Sequence, residues 1–142
     1  MFLSPDKNGQ MTIYQTSGNP SGHIIMRGGK TPNYHPQDIA AAVASLREFG
    51  LPEQLVVDFS HGNCLKQHRR QRDVATSVAQ QIRDGSRAIG GLMIESFLQE
   101  GNQPVVSGQP LNYGQSITDP CLGWEDSEAV LALLADAVDS RF

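Results

Sequence analysis

The sequence predicts an α/β fold built on parallel strands, and three observations predict it. Three short apolar runs, His23-Ile24-Ile25-Met26, Leu55-Val56-Val57-Asp58-Phe59 and Ala88-Ile89-Gly90-Gly91-Leu92-Met93-Ile94, are nearly continuous, as suits strands covered on both faces. Segments with helical apolar spacing lie between and after them. Each run ends in a polar or glycine-containing turn: Arg27-Gly28-Gly29, Ser60-His61-Gly62 and Glu95-Ser96. Alternation of strand and helix implies right-handed parallel crossovers. A (β/α)8 barrel takes about 250 residues and rarely under about 200. A chain of 142 residues therefore fits about three βα units, a part of such a barrel, better than a whole one. A small open α/β sheet is the alternative.

The elements follow in order. Pro5-Asp6-Lys7-Asn8-Gly9 is a turn signal between short stretches ending at Leu3 and starting near Met11, which predicts an N-terminal β-hairpin. After the first strand, Pro36 suits the first turn of a helix, and Gly50 with Pro52 stops it. Ile39, Val43 and Leu46 make its apolar face. A second helix carries Val74, Val78 and Ile82 and ends near Gly85. Gly101 to Thr118 is rich in Gly, Pro, Asn and Ser and is expected to be a long loop. A third helix carries Leu131, Leu134 and Val138, with Trp124 as its expected core anchor. The reading is a single domain over 1–142, with a hairpin over 1–18 and three strand-helix units over 19–142.

A hydrophobic content of 39% permits a modest core. The net charge of −4 and the pI near 5.4 argue against general nucleic-acid binding. No apolar run is long enough to span a bilayer and no signal-peptide pattern opens the chain, so a cytoplasmic protein is expected, with no membrane partner. Cys64 and Cys121 follow no zinc or thioredoxin spacing and read as free packing thiols. The basic run Lys66, His68, Arg69, Arg70, Arg72 can steer phosphorylated ligands, but a solvated helix face is the commoner outcome.

The polar residues fall where chemistry is expected. Arg27, His61 and Glu95 each follow the C-terminal end of an apolar strand, the ligand side in barrels and open sheets alike. Singly, such an Arg is more often a surface or ion-paired residue, such a His more often structural, and such a Glu more often solvated or paired. Asp119, before Pro120, can simply cap a turn. Together, one nitrogen and two carboxylates from His61, Glu95 and Asp119 suit a divalent cation of the Mn or Fe type with open positions. Gly28-Gly29 would let backbone N–H groups approach an anion beside Arg27, though such a pair is more often just a turn. Asp58, inside an apolar strand, needs a partner if buried, and a role behind His61 is one reading.

Four motifs carry a resemblance: His23-Ile-Ile-Met-Arg-Gly-Gly-Lys30-x-Pro32-Asn33-Tyr34, Val57-Asp-Phe-Ser-His-Gly-Asn63, Ile94-Glu-Ser96, and Tyr113-Gly-Gln-Ser-Ile-Thr-Asp-Pro-Cys-Leu-Gly-Trp-Glu125. Over about Phe2 to Phe142 the chain resembles the type I 3-deoxy-D-arabino-heptulosonate 7-phosphate (DAHP) synthases. His61-Gly-Asn-Cys64, Lys66-Gln-His-Arg-Arg70 and Asp139-Ser-Arg-Phe142 are most similar to the tryptophan-sensitive branch. The resemblance implies the C-terminal portion of a (β/α)8 barrel: an inserted hairpin and the last three strands. It implies a transferase that condenses phosphoenolpyruvate with erythrose 4-phosphate in aromatic amino-acid biosynthesis by the shikimate pathway. It implies His61, Glu95 and Asp119 as metal ligands, His61 and Arg27 as catalytic groups, and Arg27 and Asp119 in contact with substrate. Phe2, Ser4 and Tyr14 fall where the family builds a feedback pocket, here for tryptophan. The family's cysteine ligand on its first strand, and further Arg and Lys residues on early strands, have no counterpart. The isolated chain is therefore expected to be inactive, and to self-associate or need the missing N-terminal part. The competing reading is an inactive metal-, phosphate- or effector-binding interaction module derived from that enzyme.

Overall fold

Turn chemistry, strand periodicity and helix amphipathicity account for the elements of the computed structural model, which describes residues 1–141. Phe142, the last residue of the Asp139–Phe142 motif, lies outside the described residues. Strand β1 (Phe2–Pro5) pairs antiparallel with β2 (Met11–Tyr14), Phe2 opposite Tyr14 and Pro5 opposite Met11. Asp6 sets the turn. Its Oδ1 accepts the backbone N–H groups of Asn8 at 2.8 Å and Gln10 at 3.0 Å, while Gly9 takes a φ of +79°.

The three apolar runs become β3 (Ile24–Met26), β4 (Leu55–Asp58) and β5 (Ile89–Met93), a parallel sheet in the order β3-β4-β5. Met26 lies opposite Val57, and Asp58 opposite Met93. The strand ends are thus level, and the residues after each strand emerge along one edge. The central strand is the most covered: Leu55, Val57, Asp58 and the following Phe59 are all buried.

Helix α1 (Pro36–Glu48) opens with Asp38 Oδ2 accepting the His35 N–H at 3.1 Å, and buries Ile39 and Leu46 with Val43 half-buried. A single 3-10 turn, His68–Arg70, leads into α2 (Gln71–Arg83). This helix buries Val74, Val78 and Ile82 as expected, with Ala75 and Ala79 beside them. Helix α3 (Trp124–Asp139) packs on α2, and both join one core cluster with the sheet. Among the described residues, no helix is long and apolar enough to cross a membrane.

Three expectations need correction. The buried stripe of α3 is Val130, Leu134 and Ala137, whereas Leu131 and Val138 face outward. Both stripes contain Leu134 and both have helical spacing, so periodicity alone does not choose between them. Trp124 opens α3 at the surface, 58% exposed, and anchors no core. The 101–118 loop is closed at its stem by β6 (Gln99–Asn102) and β7 (Gln115–Ser116), a short parallel pair. Inside it, the Gln103 amide donates to the carbonyls of Asn112 at 2.8 Å and Gln115 at 3.1 Å and accepts the Asn112 N–H at 2.8 Å.

Three residues of the basic run, His68, Arg69 and Arg72, are ion-paired. Arg69 makes a two-pronged bond to Glu100, its Nε lying 2.9 Å from Oε2, and Arg72 Nη1 lies 3.2 Å from Asp126. The bonds from Arg69 and then His68 hold the Glu100 carboxyl down to about 2, from an ordinary 4.5. A folded-state pKa below the unfolded one contributes stability that is present above about pH 4.5 and lost as pH falls towards about 2. Urea titrations of the wild type and Glu100→Gln should therefore differ at neutral pH and converge across that window. A difference that does not change with pH contradicts the pairing.

Candidate metal centre

The centre forms where the ends of β3, β4 and β5 lie level. After β4 the chain runs Asp58-Phe59-Ser60-His61, and His61 takes a φ of +51°. Side chains rarely adopt this left-handed conformation, which costs roughly 1–3 kcal/mol and persists where surroundings over-determine it. Here the surroundings are the ring's partners. Nδ1 lies 2.7 Å from Asp58 Oδ2 and 2.7 Å from Ser60 Oγ. The other nitrogen, Nε2, lies 3.5 Å from Glu95 Oε1.

Glu95 follows β5 and is placed by its own backbone. Its N–H donates to Gln71 Oε1 at 2.9 Å, and its carbonyl accepts Gln71 Nε2–H at 3.0 Å and the Leu122 N–H at 2.9 Å. Gln71 is fully buried at the start of α2. Asp119 arrives from the segment after β7. One ligand atom each from His61, Glu95 and Asp119 lies within 4.8 Å of the other two. The three face a cleft of about 420 Å³, whose walls include Arg27, Lys66 and Pro120.

Burial pushes the Glu95 carboxyl above its ordinary value. The His61 ring opposes that shift, Asp119 and Asp58 add to it, and Arg27 opposes it. An acid-rich pocket of this kind is stabilised by positive charge. An imidazole nitrogen with two carboxylates fits a divalent cation of the Mn or Fe class. Engagement of Nδ1 by Asp58 leaves Nε2 as the nitrogen facing the cleft. Cys64 lines the cleft and Cys121 is half-buried; burial pushes both thiols up, so neither is poised as a thiolate ligand.

Arg27, His61, Glu95 and Asp119 therefore come together as the sequence suggested. Of the two readings of Gly28-Gly29, the structure shows the commoner one, a turn, and not an anion cradle. The Gly28 N–H donates to Asn33 Oδ1 at 2.8 Å and the Gly29 N–H to the Thr31 carbonyl at 3.1 Å. Phe2, Ser4 and Tyr14 sit on the hairpin, and none lines the cleft. The Phe2 and Tyr14 rings stack with centroids 5.5 Å apart.

Sequence reasoning missed Gln71 and Asn63. Gln71 stands in helical register with Val74 and Val78, and a polar residue on that apolar stripe was the available signal. Gln71→Leu removes both bonds to Glu95 and leaves its backbone N–H without that partner, a loss of about 1–3 kcal/mol. Urea unfolding should read that loss, and calorimetry should show weaker Mn²⁺ binding. A stability and an affinity both equal to wild type would contradict the assigned hold on Glu95.

Comparison with known proteins adds a family. The model of the DAHP synthetase I family matches residues 2–132. The chain is 74% identical over 141 residues to the Trp-sensitive phospho-2-dehydro-3-deoxyheptonate aldolase of Enterobacter agglomerans, covering 99% of this chain and 40% of that protein. It is 73% identical over 142 residues to the Trp-sensitive enzyme of Escherichia coli K12, covering 100% of this chain and 41% of that one. The solved structure of the aldolase from Francisella tularensis superposes with a TM-score of 0.88 at 40% identity, over 99% of this chain and 41% of that one. The chain thus spans about two fifths of the length of these relatives.

Proposed function

The chain belongs to the DAHP synthetase I family, and on that footing we propose that it forms the C-terminal portion of a DAHP synthase. In this reading the hairpin over 1–18 is an insertion, and 19–142 supply the last three strand-helix units of a (β/α)8 barrel. The level ends of a three-stranded parallel sheet support it. So do its two outer strands, β3 and β5, on which Ile25 and Met93 are 40% and 39% exposed.

The reaction joins C3 of phosphoenolpyruvate to the aldehyde carbon of erythrose 4-phosphate. Water adds at C2 and inorganic phosphate leaves by C–O cleavage. A divalent cation held by His61, Glu95 and Asp119 would supply Lewis-acid polarisation of the aldehyde oxygen. Arg27 projects into the same cleft and carries a fixed positive charge suited to the phosphate of phosphoenolpyruvate. Asp119, at the cleft wall, would meet the aldehyde substrate. The observation that carries the proposal is the convergence of the three ligand atoms within 4.8 Å, at the strand ends and beside that arginine.

Phe2, Ser4 and Tyr14 remain a proposed tryptophan-responsive surface, supported by the ring stack on the hairpin. A cytoplasmic location is proposed on the same footing. One arginine and Lys66 do not supply the charge that two phosphorylated substrates require, so turnover is assigned to the complete barrel. Adding a separately expressed N-terminal part to this chain, with both substrates and Mn²⁺, should restore DAHP formation, and Glu95→Ala should abolish it. Metal binding without turnover in the reconstituted mixture would favour the interaction module instead.

A further inference from the structure

We propose that Asp58 is a positioning residue for the metal centre: it fixes the His61 proton on Nδ1 and so presents a bare Nε2 lone pair to Glu95 and Asp119. The inference rests on the metal-site reading above and extends it to a residue that touches neither cation nor substrate.

Proton counting at the buried end of β4 leads there. Three short contacts link four atoms. Asp58 Oδ1 lies 2.6 Å from Ser60 Oγ, Ser60 Oγ 2.7 Å from His61 Nδ1, and His61 Nδ1 2.7 Å from Asp58 Oδ2. Asp58 Oδ1 also accepts the Ser60 backbone N–H at 2.8 Å. An ionised Asp58 offers acceptors only, and the Ser60 hydroxyl carries one proton. If that proton points to Asp58 Oδ1, the Ser60 lone pair faces Nδ1. Nδ1 must then hold a proton to satisfy both Ser60 Oγ and Asp58 Oδ2. If Ser60 instead donated to a bare Nδ1, two contacts of 2.6 and 2.7 Å would set lone pair against lone pair. Only the Nδ1–H tautomer satisfies all three.

Asp58 is completely buried between Val57 and Phe59 on the central strand, where a carboxylate without a specific partner is costly. Its side-chain partners all belong to the strand-end cluster: Ser60, His61, and Arg27, whose Nε lies 4.0 Å from the same Oδ2 that holds the imidazole. The left-handed backbone at His61 serves the same contact, since it turns the ring back onto a carboxylate three residues earlier.

In Asp58→Asn, the amide oxygen keeps the bonds from Ser60, and the amide NH₂ takes the place of Oδ2. The imidazole must then accept at Nδ1, which moves its proton to Nε2, the side facing Glu95. Long-range ¹H–¹⁵N spectra of the cation-free protein, at a pH where the ring is neutral, read the tautomer directly. Electron paramagnetic resonance reads Mn²⁺ binding. The wild type should carry its proton on Nδ1. Asp58→Asn should carry it on Nε2 and bind Mn²⁺ about 10–100-fold more weakly, with an unchanged near-ultraviolet circular dichroism spectrum. Ser60→Ala should keep the wild-type tautomer. A wild-type proton on Nε2 overturns the proposal even if Asp58→Asn does not fold, and so does an Asp58→Asn protein with wild-type tautomer and affinity. A wild type that binds no Mn²⁺ defeats the metal-site reading separately, and the tautomer still decides what Asp58 does.

Discussion

The ends of β3 and β4 are tied by one buried side-chain amide, and the arrangement of the centre depends on it. Asn63 Nδ2 donates to the carbonyls of Met26 at 2.9 Å and Asp58 at 2.7 Å, one from each strand. Its Oδ1 accepts the Asn33 N–H at 2.8 Å, and Asn33 in turn accepts the Gly28 N–H at 2.8 Å. The two strand-end loops approach so closely that a Cβ on Gly28 would lie 2.6 Å from the Asn63 nitrogen, and one on Gly62 would lie 2.6 Å from the Gly29 nitrogen. Both positions require glycine because backbone occupies the space. Each buried polar group left unpaired costs about 1–3 kcal/mol. The network therefore holds Arg27 and His61 side by side more firmly than either loop could alone.

Charge is the second constraint. Two carboxylates about 4 Å apart repel by roughly 4 kcal/mol at an effective dielectric of 20. Glu95 and Asp119 bring ligand atoms within 4.8 Å of each other. Asp119 is exposed, so solvent screens part of that repulsion. It is relieved when Glu95 takes up a proton or when a cation sits between the two groups. Burial raises the Glu95 pKa most and Asp119 adds to it, which favours the first outcome, and the His61 nitrogen directed at the same space favours the second.

Much of this was legible in the sequence. The three strands are nearly continuous apolar runs, α1 and α2 have clear helical periodicity, and turn residues mark their ends. Arg27, His61 and Glu95 could be placed on one edge because parallel strands with short connections leave their C-terminal ends level. The register of α3 was not legible, because Val130, Leu131, Leu133, Leu134, Ala137 and Val138 leave few polar positions to mark the outer face. The partners of the basic run were also hidden: Glu100 lies 31 residues from Arg69, and Asp126 lies 54 from Arg72. The Gly28-Gly29 pair left an anion cradle and a plain turn open, and packing of loop on loop, with both amides satisfied internally, explains it. Gln71, like Gln81, was a polar residue on an apolar stripe, and its meaning appears only when β5 is set against α2.

The central claim is that His61, Glu95 and Asp119 hold one divalent cation. Crystals of the protein grown with Mn²⁺ and measured at the manganese absorption edge test it most directly. An anomalous peak is expected between His61 Nε2 and carboxylate oxygens of Glu95 and Asp119. A strongest peak elsewhere, or no peak at this position, would contradict it.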